Sequence, residues 1–230
     1  MAEDTGGLAP DHPARAYEAI DQLSAWATER AAPFRCGIAR SPDEIDAVYR
    51  LRYEVVVEHD WAPRGAMPDG IERDRHDDAS VHVAVWDHET LAGTCRLVLP
   101  LEGCLMPMEE LLGERIAPEG RVVEWGRVVV ARPYRGDPQH VVSGALFGTA
   151  WLEMRSRGFV VCAGMAAEPI IGLFRSLGFE ISVLGPARKY WGKERYPIRS
   201  VAAAPVRSSW MRADARWLGA EEDVDPGEVT

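Results

Sequence analysis

Glu124 and Arg127 are two ionisable residues inside a Val-rich stretch, Arg121-Val-Val-Glu124-Trp125-Gly126-Arg127-Val-Val-Val-Ala131. The stretch is bounded by Gly120 and Pro133 and reads as a buried strand. A charge in such a strand is costly unless it is paired or used. Side chains three apart on a regular strand point to opposite faces. A bulge at Gly126 would re-aim Arg127 to the face of Glu124. It would also leave a backbone N–H without a ladder partner, free to bind a ligand oxygen. The two readings of this pair are a buried ion pair that steadies a sheet and a group that does chemistry.

Three more pieces carry ionisable groups in or beside apolar elements. They are Leu51-Arg52-Tyr53, the loop with Asp74 and Asp77, and Gly93-Thr-Cys-Arg96-Leu-Val-Leu-Pro100. Buried arginines need carboxylate partners, and Asp74, Asp77 and Glu124 are the expected ones. Three arginines and three acids could staple the loop to the sheet. They could also present arginines to a substrate carboxylate and acids to an ammonium.

The elements that must hold these groups follow from periodicity and punctuation. Apolar positions recur at helical spacing from His12 to Ala32, and Pro33 ends that helix. A short strand is expected at Phe34–Ala39. Ser41-Pro42-Asp43-Glu44 has the form of a capping box and opens a helix running to about Val57. Residues 58–80 are a long polar loop containing Trp61, a length that is usually functional or disordered. Strands at Val81–Trp86 and Leu91–Leu99 form a hairpin. A short helix spans Pro107–Leu112. After the Val-rich strand come a helix from Asp137 to Arg157, a strand at Phe159–Gly164 and a helix from Glu168 to Gly178. Strands are expected at Ile181–Leu184 and Ile198–Ala203. Trp210, Trp217 and Leu218 suggest a last packed turn, residues 1–11 read as disordered and residues 219–230 as an acidic tail. This order fits a mixed central sheet with helices on both faces. The expected divisions are an extension with one helix at 1–33, a domain at 34–205 and a tail at 206–230.

Composition excludes several classes. The 230 residues are 47% hydrophobic, enough for one large core. No apolar run has the length of a membrane span. The N-terminus lacks the basic and apolar regions of a secretory signal. The four cysteines form no C-x-x-C pair, and His59, His82, His88 and His140 have no metal spacing. No metal and a cytoplasmic setting are therefore expected. The net charge of −10 argues against nucleic-acid binding. Between 121 and 212 the chain holds fourteen Arg and Lys against six Asp and Glu, a net of +8 that leaves −18 elsewhere. The basic run from Arg188 to Arg199 is either a solvated surface or a landing patch for a phosphate-bearing or acidic partner.

In the order and spacing of these pieces the chain resembles the acyl-homoserine-lactone (autoinducer) synthases and the long-chain N-acyl amino acid synthases, both of the GCN5-related N-acyltransferase (GNAT) fold. The matching residues are Arg52, Trp61, the Gly70-Ile-Glu-Arg-Asp74-Arg-His-Asp77 loop, Gly93-x-x-Arg96-Leu-x-x-Pro100, Glu124-x-x-Arg127 and Arg175-Ser-Leu-Gly178-Phe179. The resemblance spans roughly residues 35–185 and implies an α/β (α+β) fold whose central strand is bulged and splayed. It implies transfer of an acyl group from a thioester, on acyl carrier protein or coenzyme A, to a primary amine. No tightly bound cofactor is implied. Glu124 would take the amine's proton, and a bulge N–H near Gly126–Val128 would hold the oxyanion. Arg127 would act beside them, and Arg52, Trp61, Asp74, Asp77 and Arg96 would bind substrate. Trp125, Phe147, Met154 and Met165 would line an acyl slot.

Three departures bear on the acceptor. Val56 stands where the autoinducer synthases usually carry Phe, and Trp61 falls one residue early. The second Phe ahead of the central strand has no clear match. These differences favour an amino-acid-type amine over S-adenosylmethionine. After the strand, Arg132-Pro-Tyr-Arg135-Gly-Asp-Pro-Gln-His lacks the R/Q-x-x-G-x-G/A loop that cradles pyrophosphate. A carrier-protein donor fits that absence, with Arg132, Arg135, Arg155, Arg188 and Lys189 as docking residues. The other readings are an autoinducer synthase using S-adenosylmethionine, an acetyl-coenzyme A N-acetyltransferase, and a binding module without catalysis.

Overall fold

A computed structural model describes residues 12–137 and 139–203. The expected final turn, the acidic tail and the N-terminal stretch expected to be disordered lie outside those residues. The element order is α1 (His12–Arg30), β1 (Arg35–Ile38), α2 (Pro42–Glu58), β2 (Ser80–Asp87), β3 (Thr90–Val98), α3 (Pro107–Leu112), β4 (Val122–Val130), α4 (Val141–Ser156), β5 (Val161–Ala166), α5 (Glu168–Ser176), β6 (Phe179–Val183), β7 (Arg188–Tyr190) and β8 (Lys193–Ala202). The strands form one mixed sheet in the order β1-β2-β3-β4-β5-β8-β6, with β7 added on β8. The pairing of β4 with β5 is parallel and the others are antiparallel.

Alternation along the strands assigns the two faces. Val83 and Val85 pack with Ile20, Leu146 and Trp151, from α1 and α4. Ala84 and Trp86 pack with Val48 and Val55 of α2. Residues one apart on β2 thus serve opposite layers, as a two-residue period requires. The capping box at Ser41 is formed: Glu44 N donates to Ser41 Oγ at 3.2 Å, and Ser41 N donates to Glu44 Oε2 at 3.3 Å.

The N-terminal helix shares the domain core. Ala16 and Ile20 are fully buried. Trp151 Nε1 donates to Asp21 Oδ1 at 2.6 Å, and Arg155 reaches both Asp21 oxygens at 3.1 and 3.2 Å.

Two sequence expectations need correction here. The helix expected from Asp137 begins at Val141 instead. Asp137 stays outside and caps it, its carboxylate accepting from Gln139 N at 3.0 Å and Val141 N at 3.2 Å. The strand expected from Ile198 begins at Lys193 instead, as the second arm of a hairpin with β7. Tyr190 pairs with Lys193, leaving Trp191 and Gly192 as a two-residue turn with φ of 52° and 72°. Both central residues at positive φ is the turn geometry that suits strand twist. No helix among the described residues is long and apolar enough to cross a membrane.

Candidate active site

The bulge in β4 is present, one step beyond the expected place. Gly126 stays in register opposite Arg96, and Val129 lies opposite Thr94. Arg127 and Val128 therefore face the single residue Cys95. The positive φ, 55°, belongs to Arg127 and not to Gly126. The inserted residue shifts the alternation: Val123 and Val130, seven apart, would face opposite sides of a regular strand, yet both pack in the core under α1 and α4. Arg127 is thereby turned to the α2 side of the sheet. An arginine in the left-handed region is held there by its partners. Its Nε donates to Glu72 Oε1 at 3.2 Å, Nη2 to Asp74 Oδ2 at 3.0 Å and Nη1 to the Tyr190 hydroxyl at 2.8 Å.

Arg52 of α2 and Arg96 of β3 meet the same loop. Arg52 is 1% exposed and bonds to Glu72 and, through Nη1 at 2.7 Å, to Asp77 Oδ1. Arg96 Nη1 donates to Asp74 Oδ1 at 2.7 Å and Asp77 Oδ1 at 3.0 Å. Asp77 also accepts from the Asp74 amide at 2.7 Å. Burial alone would raise the Asp77 carboxyl. The hydrogen bond and charge of Arg52, with Arg96 behind, overcome that and hold it well below the usual carboxylate range. His82 sits behind this cluster, and burial pushes its imidazole down to about 4.

The third acid of the network is Glu72, and the expectation for Glu124 as an arginine partner is corrected. Glu72 lies five residues before Asp77 in the same loop, and it bridges Arg52 and Arg127. Only its partners' positions reveal this, because the loop offers several acids at similar spacing. Three guanidinium groups are thus matched by three carboxylates, and the network is internally neutral.

Glu124 stands apart from that balance. It is 5% exposed, and the Met108 amide donates to its Oε2 at 2.7 Å. Burial pushes its carboxyl up to about 7, against the smaller pull of the Met108 amide and the charges of Arg96 and Arg127. A carboxyl with that value exchanges a proton readily near neutral pH.

β4 and β5 pair only from Val122 to Glu124, then diverge. A cavity of about 260 Å³ opens where they part. Glu124, Gly126, Arg127, Arg52 and Arg96 line it, as does Trp61. Its apolar wall includes Trp125, Phe147, Phe174 and Met165. The Trp125 ring lies 5.5 Å from Phe147 and 6.3 Å from Phe174. Met154, expected in this wall, is fully buried in the core and does not line the cavity. It lies about two helix turns beyond Phe147, in the core cluster with Ile20 and Trp151. Gly164 is required at the parting, because a β-carbon there would meet the Trp125 carbonyl oxygen at 2.5 Å.

The expected docking residues divide. Arg155 is spent on Asp21 and lies 5.1 Å from the Tyr17 ring, so it joins α1 to α4 instead. Arg135 lines the cavity and pairs with Glu58 at 3.0 Å. Arg132 is exposed, 3.7 Å from the same carboxylate. Arg188 and Lys189 are exposed on β7. Sequence reasoning missed Tyr190 and Trp191. The Arg127 guanidinium lies 4.0 Å from the centre of the Trp191 ring, and that ring meets Trp61 edge-on at 6.1 Å. The Trp-Gly pair between two basic runs was the available turn signal.

Residues 51–143 match the family model described as acetyltransferase (GNAT) domain. That segment is about two-fifths of the chain. The match runs from α2 through the network and bulge to the start of α4. No curated protein matches the chain in sequence. Solved structures of similar fold include a CoA-dependent acyl-homoserine lactone synthase, MesI, at 22% identity and TM-score 0.59, over 75% of this chain and 90% of that one. The AHL synthase LasI aligns at 18% identity and TM-score 0.57, over 75% and 91%. FeeM, an N-acyl amino acid synthase from uncultured soil microbes, aligns at 15% and 0.55, over 74% and 91%. At these identities the likeness is one of fold. It covers the splayed GNAT sheet on which the acid, the bulge and the apolar wall are mounted.

Proposed function

We propose that the protein transfers an acyl group from an acyl thioester, on acyl carrier protein or coenzyme A, to the amine of an amino-acid-type acceptor. The observation that carries this reading is the isolation of Glu124. It is the acid on the cavity wall that no guanidinium neutralises, and its carboxyl sits near neutrality. In the reaction the amine nitrogen attacks the thioester carbonyl and loses a proton to Glu124. The C–S bond breaks, and the departing sulfur takes up a proton to leave as thiol. The carbonyl oxygen gains charge in passing, and the bulge amides at Gly126–Val128 are the donors available to it.

The neutral network supports a platform role for Arg52, Arg96 and Arg127 rather than capture of a substrate carboxylate. It fixes the acid loop against the sheet, so that cavity and bulge keep their geometry when substrates arrive. Trp125, Phe147, Phe174 and Met165 offer a slot for an acyl chain. Val56 stands where the autoinducer synthases usually carry Phe, and that difference in sequence favours a free amino acid as acceptor.

Mass spectrometry of lipid extracts tests the reading. Cells making the wild-type chain should accumulate an acylated amine that cells making Glu124→Gln lack. Matching extracts from the two would overturn it.

A further inference from the structure

Coenzyme A and acyl carrier protein both hold their thioester on a 4′-phosphopantetheine arm, which carries a phosphate at its root. A helix N-terminus commonly receives such a group through its free amides. At α4 that place is taken. The Asp137 carboxylate accepts from Gln139 N and Val141 N, and its negative charge repels a phosphate. A donor bound in this cavity needs its phosphate held by something else.

One part of the cavity wall is basic. His59, Arg135, Lys193 and Arg195 line it beside Trp61. Arg135 Nη1 lies 3.3 Å from His59 Nε2. The His59 ring stacks on Trp61 at 5.0 Å, and the Arg195 guanidinium lies 5.9 Å from the Trp61 ring. Burial, then the Arg135 charge and that of Lys193, hold the His59 imidazole below its ordinary range, with Glu58 opposing. Glu58 is shared by Arg132 and Arg135. Lys193 has no ion pair among the described residues. Positive charge from two distant parts of the chain, the segment after β4 and the β7–β8 hairpin, therefore converges on one mouth.

The spacing along β4 also fits. Arg135 Nε donates to Val130 O at 2.8 Å. Val130 lies six residues beyond Glu124, roughly 20 Å of strand less the bulge. An extended pantetheine arm can cover that span, with its thioester beside Glu124 when its phosphate rests at the mouth.

We propose that Arg135, Lys193 and Arg195 form a side-chain phosphate site that grips the single phosphate of a pantetheine arm, in place of helix amides. The inference rests on the acyl-thioester reading above and adds how the donor is held. Such a site reads the feature that coenzyme A and a carrier protein share. It has no need of the second phosphate or the nucleotide.

Calorimetric titration of the full chain with one acyl group on four carriers tests this. The carriers are pantetheine, 4′-phosphopantetheine, coenzyme A and acyl carrier protein. The phosphopantetheine and coenzyme A thioesters should bind with similar affinity, each about tenfold or more tighter than the pantetheine thioester, the range expected when a charged hydrogen bond is gained. Lys193→Ala with Arg195→Gln should erase that advantage and weaken the carrier-protein donor by a like factor. Lys193→Glu alone, which keeps Arg195 on Trp61, should do much of the same and separates charge from packing. Affinity for the pantetheine thioester should stay unchanged in all variants. Equal affinity for all four donors, indifferent to the substitutions, would overturn the phosphate site and leave the acyltransferase reading standing. Coenzyme A binding tenfold tighter than phosphopantetheine would overturn the single-phosphate assignment. Failure of every thioester to bind would remove both.

Discussion

Arg127 and Trp191 are both non-glycine residues at positive φ, 55° and 52°, and their side chains stack at 4.0 Å. Each conformation costs about 1 kcal/mol or more. The stack and the Glu72 and Asp74 ion pairs offset that cost, so hairpin tip and bulge hold each other in place. Trp191→Asn tests the relationship, because Asn tolerates the left-handed turn while removing the ring. The expected result is an unchanged circular dichroism spectrum with kcat/KM reduced about 3- to 30-fold, the span of a cation–π contact. Full activity in that variant would show that the ring does not serve the site.

Glu124 sets a pH dependence with two readouts. As the proposed base it must be ionised, so kcat/KM should rise with pH to a plateau, with a midpoint around its value of about 7. Glu124→Gln should lower turnover by about 10²-fold or more and flatten the profile. Stability should move the other way. The folded state holds this proton more tightly than the unfolded chain, so stability falls as pH rises from about 4.5 to about 7 and is level above. The loss is on the order of 3 kcal/mol. Urea titrations at pH 5 and pH 8 should show it in the wild type and not in Glu124→Gln. An equal fall in both would assign it to another group.

Asp77 carries the opposite sign. Its carboxyl is depressed in the fold, so its contribution is present above the unfolded value near 3.8 and is lost as pH falls through the folded one. Asp77→Asn leaves Arg52 and Arg96 short of charge inside the protein. At pH 7 it should cost about 3–5 kcal/mol, as breaking a buried pair does. The gap from wild type should narrow as pH is lowered towards 2. A constant gap across pH 7 to 2 would mean that packing, not charge, accounts for the loss.

The parts that local chemistry dictates were legible in the sequence. Ser41 and Glu44 announce the start of α2, and Asp87-His-Glu-Thr announces the β2–β3 turn, because caps and turns are decided by a few adjacent residues. The irregularity in β4 was also legible, from charges three apart in a Val-rich run. Its position was not. Glycine suggested the bulge, yet the left-handed residue is Arg127, whose cost is met by Glu72, Asp74 and Trp191, all distant in sequence. Pairing within the network failed for the same reason, since Glu72 and Glu124 differ only in where the fold places them. Met154 and Arg155 were misread because helical spacing alone does not tell the core under α1 from the cavity wall.

Gly148 decides how firmly α1 is built into the domain. A β-carbon there would meet Ser24 O at 2.5 Å and Thr28 Oγ1 at 2.8 Å, both on α1. Ser24 is fully buried, and Thr28 Oγ1 donates to its carbonyl at 2.9 Å, so this backbone has little room to yield. Two effects compete in Gly148→Ala. Helix propensity favours alanine by about 1 kcal/mol. Overpacking opposes it by about 1–3 kcal/mol. If α1 is held by Ile20, Asp21 and the Trp151 contact, overpacking wins, the melting temperature drops, and limited proteolysis cuts α1 sooner than in the wild type. If α1 can shift aside at little cost, the propensity term wins and the variant melts higher. The sign of the change therefore tells whether the segment before residue 33 is a structural part of the folded domain or an attachment to it.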